Sequence, residues 1–296
     1  MKITASMVKE LRDATAAGMM DCKKALTETD GDMAKAIDWL REKGIAKAAK
    51  KAGRIAAEGL SRVLVDGNKA VIVEVNSETD FVAKNTQFLE LMDKVATTLL
   101  NSGVTTLEDA LKVNVDGNTL ELLLVNATAT IGEKISLRRF EVVEKSDSDV
   151  FGSYMHQGGR ISALVTLTEG ASAEFGKQMA MQVASMNPTY LDRSTVPAEI
   201  IAHEKSIITK NMEADESLAG KPEKVLVGIV EGRLSKSLQD MCLLDQVYFL
   251  DGKAKCAKVI KENNTSVVNF VRYEVGEGIE KKSEDFAAEV EAAIKG

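Results

Sequence analysis

Apolar positions change their period several times along the chain, and each change predicts a new element. Over residues 1–43, three groups recur at helical spacing: Val8 with Leu11 and Met7, then Met19, Met20, Ala25 and Leu26, then Ala36, Ile37 and Leu40. They predict three short helices. Ser6 caps the first, which breaks at Ala16-Ala17-Gly18. The second ends near Thr29-Asp30-Gly31, and the third starts at Asp32 and stops at Gly44. The pattern alone places Met19 and Met20 in the core. Yet so small a bundle has little core, and an apolar residue left at a turn is a candidate for partner contact. Lys47, Lys50, Lys51 and Arg54 among alanines read as a solvated tether over 44–58, with a domain boundary near Gly53.

The period then shortens. Residues 60–65 and 70–75, around Asp66-Gly67-Asn68, predict a hairpin. Helices over 83–100 and 117–131 and a strand over 135–143 follow. After the polar joint Glu144-Lys145-Ser146-Asp147 the plan repeats. A strand over 150–156, a turn at Gln157-Gly158-Gly159, and a strand over 160–167 lead to a helix with Phe175, Met179, Met181, Val183 and Met186 apolar. A closing strand lies over 266–275. The two closing strands also share letters: Arg138-Arg139-Phe140-Glu141-Val142-Val143-Glu144 lies over Val271-Arg272-Tyr273-Glu274-Val275-Gly276-Glu277. Same order and similar letters imply an internal duplication, two small antiparallel sheets each backed by helices. Two helical runs, 196–212 and 222–238, interrupt the second copy. Ile200 with Ile207 and Ile201 with Ile208 stand seven apart, and Val227, Val230, Leu234 and Leu238 recur at three or four. This predicts an antiparallel helical hairpin, an interaction arm rather than a catalytic element. A last acidic helix over 284–294 carries the stripe Phe286, Val290, Ile294, which docks on its own core or on a partner.

Between the strand ending at Val75 and the helix beginning at Ala83 stands a polar corner, Asn76-Ser77-Glu78-Thr79-Asp80-Phe81-Val82. Two readings stay open. Thr79 or Asp80 caps the next helix with Phe81 tucked under its first turn. Alternatively, the corner pushes an aromatic and a carboxylate out between two rigid elements, where scaffolds place functional side chains.

Composition narrows the choices. A chain of 296 residues suits two or three domains, and with only 4% aromatics its cores must be aliphatic. The net charge of −7 is uneven: residues 1–54 hold 12 Lys/Arg against 8 Asp/Glu, the remainder 26 against 37. A basic head on an acidic body argues against general nucleic-acid binding and permits a charged protein partner. Cys22, Cys242 and Cys256 form no C-x-x-C pair, so a reducing compartment with no disulfide frame and no zinc site is expected. No apolar run spans a membrane, and Met1-Lys2-Ile3-Thr4-Ala5-Ser6 lacks a signal-peptide core, which together point to the cytoplasm. The phosphate-cradling, dinucleotide, zinc-protease and nucleophile-elbow motifs are missing, so no cofactor is expected. Of two histidines, His203 reads as a surface residue of the arm. His156 ends a strand beside Gly158-Gly159, open to whatever approaches the sheet. A hydrolase pairing His156 with Asp80 is one rival reading and needs a nucleophile or acid partner. A scaffold that binds through its arm is another.

Three stretches together define a resemblance. Met7-Val8-Lys9-Glu10-Leu11-Arg12 with Ala17-Gly18-Met19-Met20-Asp21-Cys22-Lys23-Lys24-Ala25-Leu26, the Thr79-Asp80-Phe81-Val82 corner, and Phe270-Val271-Arg272-Tyr273-Glu274-Val275-Gly276-Glu277-Gly278-Ile279-Glu280 resemble the bacterial elongation factor Ts family, in order and over the whole chain. The resemblance implies an α+β fold. It comprises a UBA-like three-helix bundle (1–54), two related antiparallel-sheet subdomains (55–145, then 146–193 with 239–275), an inserted coiled-coil arm (194–238) and a C-terminal module (276–296). It implies a guanine-nucleotide exchange factor for GDP-bound elongation factor Tu, without bond-making chemistry, cofactor or catalytic residue. Thr79, Asp80, Phe81 and Val82 match the element that dislodges Mg²⁺ from the partner. Arg12, Met19 and Met20 match positions gripping a helix of Tu's nucleotide-binding domain, and His156 one that presses on that domain from another side. The turn after His156 departs from the family pattern, reading Gln157-Gly158-Gly159. The resemblance also admits pairing of two such chains within a larger assembly with Tu.

Overall fold

Leu11, Cys22, Ala25, Leu26 and Ala36 lose all contact with water, and they do so against one another. They come from α1 (Ala5–Thr15), α2 (Met19–Glu28) and α3 (Met33–Ala49), the three expected helices. The computed structural model describes residues 3–15, 17–218 and 220–280; the helix expected over 284–294 lies outside them. Four expectations for this region change. Thr4 rather than Ser6 caps α1, its Oγ1 accepting from the Met7 N–H at 3.3 Å. Met19 and Met20 are not core: the covered face of α2 begins at Cys22, and among the described residues no element lies over the turn before it. Gly44 does not stop α3. It is buried within α3 where that helix meets a later one, and a Cβ there would make ordinary contact with the Ala129 Cβ at 3.5 Å. The solvated tether is likewise shorter than expected. Residues 44–49 are helical, Lys47 reaches Asp21 at 2.8 Å, and Lys51 Nζ donates to the Gly132 carbonyl. Asp32 caps α3 as anticipated, accepting from the Lys35 N–H at 3.0 Å.

β1 (Glu58–Asp66), β2 (Lys69–Ser77) and β5 (Ser136–Glu144) form an antiparallel sheet in the order β1-β2-β5. α4 (Thr86–Ser102) lays Phe88, Met92, Val95 and Leu99 on Val71, Val73 and Val75 of β2, beside Leu120 and Leu124 of α6 (Leu120–Ile131). Sequence pattern did not reveal α5 (Leu107–Lys112) or the two-residue strands β3 (Asn114–Val115) and β4 (Asn118–Thr119), which are too short to establish a period. The second sheet, β6 (Val150–His156), β7 (Ile161–Leu167) and β8 (Val267–Glu274), repeats the arrangement in the order β6-β7-β8, with α7 (Ala173–Met186) on one face. Gly152 and Gly176 make that contact possible: a Cβ on Gly152 would fall 1.9 Å from the Gly176 carbonyl oxygen. The fold is therefore α+β, as the patterns predict.

The insertion consists of α8 (Ala198–Glu213) and α9 (Glu223–Met241), which pack through Ile208, Met212, Val230, Leu234 and Leu238. Val227 and Ile207, expected in this seam, face outward instead, so the strict seven-residue repeat is not kept. α10 (Cys256–Glu262), also unanticipated, buries Cys256 and Ile260 beneath β8 and α7. The two sheets pack on each other. Ala70, Val143 and Leu164 form a small shared core with Val63, Phe151 and Val271. β2 thus has helices on one face and the second sheet on the other, which is why its residues after Lys69 are buried without alternation.

Candidate functional site

The corner between β2 and α4 is braced at almost every residue before it presents its aromatic. Ser77 Oγ donates to the Thr79 carbonyl at 2.9 Å. Glu78 pairs with Arg54 at 3.1 Å and accepts from the Lys134 N–H at 2.6 Å. Thr79 gives both its N–H (2.9 Å) and its hydroxyl (2.7 Å) to the Glu133 carboxylate. Val82 and Ala83 are buried, Val82 in the first subdomain's core, and Val82–Lys84 form a single 3₁₀ turn. Between these fixed points Phe81 stands 79% exposed, the most exposed large apolar side chain among the described residues. The capping reading of this corner does not hold. Asn85 caps α4, accepting from the Gln87 N–H at 2.9 Å, because the 3₁₀ turn takes the place of a direct entry into the helix.

Asp80 is exposed beside Phe81 and meets Lys84 at 2.9 Å. The Lys84 ammonium, through that hydrogen bond, holds the Asp80 carboxyl below the usual carboxylate range, with a smaller contribution from Arg160. Arg160 belongs to the β6–β7 turn and donates to Glu58 at 2.7 Å, which raises its already high pKa further. Glu58 in turn lies opposite Ser77 in the β1–β2 register. The same turn carries His156, whose carbonyl accepts from the Gly159 and Arg160 N–H groups, both at 3.1 Å. The duplicated halves therefore bring the corner and the His156 turn to one end of β1. They do not join Asp80 to His156. Asp80 pairs with Lys84, while His156, half-buried, contacts the Tyr154 hydroxyl through Nδ1 at 3.1 Å.

A second surface lies on the bundle. Met19 and Met20, 59% and 75% exposed, open α2, and Arg12 is exposed near the end of α1. Gly18 precedes α2 without a side-chain cap. These three residues share an end of the bundle, not the corner. The bundle is nonetheless fixed to the first sheet domain, since α3 packs on α6 and Arg41 donates to Asn118. Sequence reasoning missed the corner's supports, Glu133, Glu78, Arg54 and Lys134, and its neighbours Lys84, Arg160 and Glu58. A hint was available only in Gly132-Glu133-Lys134, an acid directly after a helix-ending glycine in αL conformation.

Phe81, Met19 and Met20 are thus large apolar side chains left exposed, and among the described residues no cluster of three or more His, Cys, Asp or Glu could hold a metal ion. Comparison with known proteins makes this specific. Residues 78–277 match the family described as Elongation factor TS. Two relatives, each named Elongation factor Ts, align along their full length. That of Acholeplasma laidlawii (strain PG-8A) is 54% identical over 295 residues, and that of Spiroplasma citri 50% identical over 294, each alignment covering 99% of both chains. The chain belongs to the elongation factor Ts family.

Proposed function

We propose that this chain is a guanine-nucleotide exchange factor for elongation factor Tu, acting in the cytoplasm during translation elongation. The observation that carries the reading is Phe81: a large apolar ring held out to solvent on a corner whose neighbours are all fastened. In a monomer such exposure lowers stability, and it becomes favourable when a partner supplies the missing cover. Phe81 wedges between helices of GDP-bound Tu, and Asp80 places its carboxylate at the edge of the partner's Mg²⁺ site. GDP is held by phosphate contacts and by that ion, so displacing the elements around the ion loosens the nucleotide without breaking a covalent bond. Thr79 and Val82 fix the wedge from either side. Arg12, Met19 and Met20 grip the nucleotide-binding domain at a second point, and His156 presses on it from the other half. Residues 1–54 serve as a UBA-like module, and 194–238 as a coiled-coil arm. Linkage makes the effect reciprocal: if the factor lowers Tu's affinity for GDP, GDP lowers Tu's affinity for the factor equally, and GTP can then displace it.

Stopped-flow release of a fluorescent GDP from Tu tests this. Release accelerates with the concentration of this protein. Phe81→Ala lowers the maximal rate by about 30-fold, the equivalent of an anchor of about 2 kcal/mol, with the melting temperature unchanged because the ring is exposed in the free protein. Met20→Ala raises the half-saturating concentration more than it lowers the maximal rate. Absence of acceleration by folded protein sinks the exchange reading and leaves a scaffold that binds through its arm.

A further inference from the structure

The turn Gly132-Glu133-Lys134, which follows α6, touches two parts of the molecule that lie far from it in sequence. On one side it holds the corner. One Glu133 carboxylate takes both Thr79 donors, through Oε2 at 2.9 Å and Oε1 at 2.7 Å, and the Lys134 N–H donates to Glu78 at 2.6 Å. On the other side it holds the segment that leaves α3. Lys134 Nζ donates to the Arg54 carbonyl at 3.0 Å, and the Gly132 carbonyl accepts from Lys51 Nζ. Arg54 closes the loop by pairing with Glu78. Seven residues from three regions are joined by hydrogen bonds around this three-residue turn, and Arg54, Glu78 and Lys134 close a ring among them.

We propose that Glu133 is a positioning residue for nucleotide exchange, and that the turn it occupies locks the Phe81 corner to the helical bundle. This rests on the exchange reading above. The carboxylate touches neither Phe81 nor Asp80. It fixes φ and ψ at Thr79 by holding that residue's N–H and hydroxyl together, two residues before the ring, while Val82 is fixed in the core one residue after it. With both flanks fixed, Phe81 meets a partner without first being ordered, so none of its contact free energy is spent on ordering the loop. With Glu133 removed, the donors of Thr79 turn to water, the residue samples other conformations, and the ring is delivered in the working orientation for only a fraction of encounters. The second half of the lock sets the distance between the bundle, which carries Met19 and Met20, and the corner.

The charge matters as well as the shape. A carboxylate accepts from two donors at once, with bonds stronger than those to a neutral group. Glu133→Gln keeps one acceptor oxygen but turns an amide toward the second donor, so it restores part of the function. Glu133→Ala restores none.

The test uses the full-length protein in two assays. In stopped-flow GDP release from Tu, Glu133→Ala lowers the maximal rate about tenfold or more, as expected for loss of hydrogen bonds to a charged group, while the half-saturating concentration, set by Met19 and Met20, changes less than about twofold. Glu133→Gln falls between wild type and Glu133→Ala, and so does Thr79→Val, which keeps the N–H donor but loses the hydroxyl. A maximal rate in Glu133→Ala equal to wild type overturns the proposal. So does an equal loss in a distant variant of matched melting temperature, which would mean that the effect is general destabilisation. The second assay needs no partner: amide hydrogen exchange of the free protein at Thr79, Asp80 and Phe81. Faster exchange there in Glu133→Ala, with α4 unchanged, supports the lock, and unchanged exchange overturns it. If wild-type protein fails to accelerate GDP release, the exchange reading falls and this second assay alone decides whether Glu133 holds the corner.

Discussion

Replacing Glu74 by alanine will destabilise the protein more than any surface change, for reasons the structure makes explicit. The carboxylate is fully buried between the two sheets. It accepts from Arg138 Nη1 at 2.9 Å, Arg139 Nε at 2.6 Å, Asn76 Nδ2 at 3.1 Å and the Gly276 N–H at 2.9 Å. Arg139 also stacks on the Tyr273 ring at 4.2 Å, which fixes it in place. Removing one partner of a buried charge pair costs about 3–5 kcal/mol, because the groups left behind stay unpaired away from water. Here the arginines remain about a quarter to a third exposed and recover some hydration, so about 3 kcal/mol is expected. In urea that corresponds to a midpoint lower by about 1 M or more. The pH dependence supplies an independent check. Burial pushes the Glu74 carboxyl up, but the Gly276 N–H and both guanidiniums outweigh it, so its folded pKa lies below the usual value. A depressed carboxylate pKa gives stability that is fully present above the unfolded value of about 4.3 and is lost as pH falls through the folded pKa. The difference between wild type and Glu74→Ala therefore holds at neutral pH and narrows below about 4.3. A midpoint shift under about 0.3 M at neutral pH, or a difference that grows in acid, refutes the reasoning.

Two further outcomes are expected. Gly152→Ala forces a methyl group against the Gly176 carbonyl, so β6 and α7 must separate. A loss of several kcal/mol, or failure to fold, follows in thermal melts, whereas Gly228→Ala, whose Cβ meets nothing, is neutral or stabilising. Burial pushes the Cys256 thiol up to about 12, so iodoacetamide at pH 8 leaves Cys256 unmodified in the folded protein and labels it only after denaturation, as peptide mass spectrometry will show.

What could be read from sequence, and what could not, follows from the range of each interaction. The strands, the hairpins and α4 were legible because their apolar periods are long and local, and the repeat was legible in the order of hairpin, helix and closing strand. The matching letters around Arg138 and Arg272 were not its sign: Arg139 turns to Glu74 between the sheets, whereas Arg272 turns to the Ala184 carbonyl of α7. The core status of Met19 and Met20 was misread because period fixes a face, and whether a neighbouring element extends over that face is a tertiary matter. Gly44 was misread as a stop for the same reason: α6, far along the chain, covers the face on which it lies, and α3 continues past it to Ala49. At the corner, sequence picked out Phe81 and Asp80 but not what holds them, since Glu133 lies 54 residues from Thr79. Glu74 gave a signal that went unused. A lone acid inside a buried run requires a cation, and the chain supplies two in Arg138-Arg139.

The bond from the Gly276 N–H to Glu74 joins residues 202 apart. Closing a bare loop of that size would carry an entropic cost of about 5 kcal/mol, far beyond what one hydrogen bond returns. The contact can form only after each half has already folded and shortened the path between them. On a ribosome, the first sheet is complete while the strand β8 is still to be made. The nascent chain then carries an acid without its last donor, in a face awaiting its cover. Ribosome-bound chains that stop short of Gly276 will accordingly be cut by protease within the first sheet, and chains extended past it will resist.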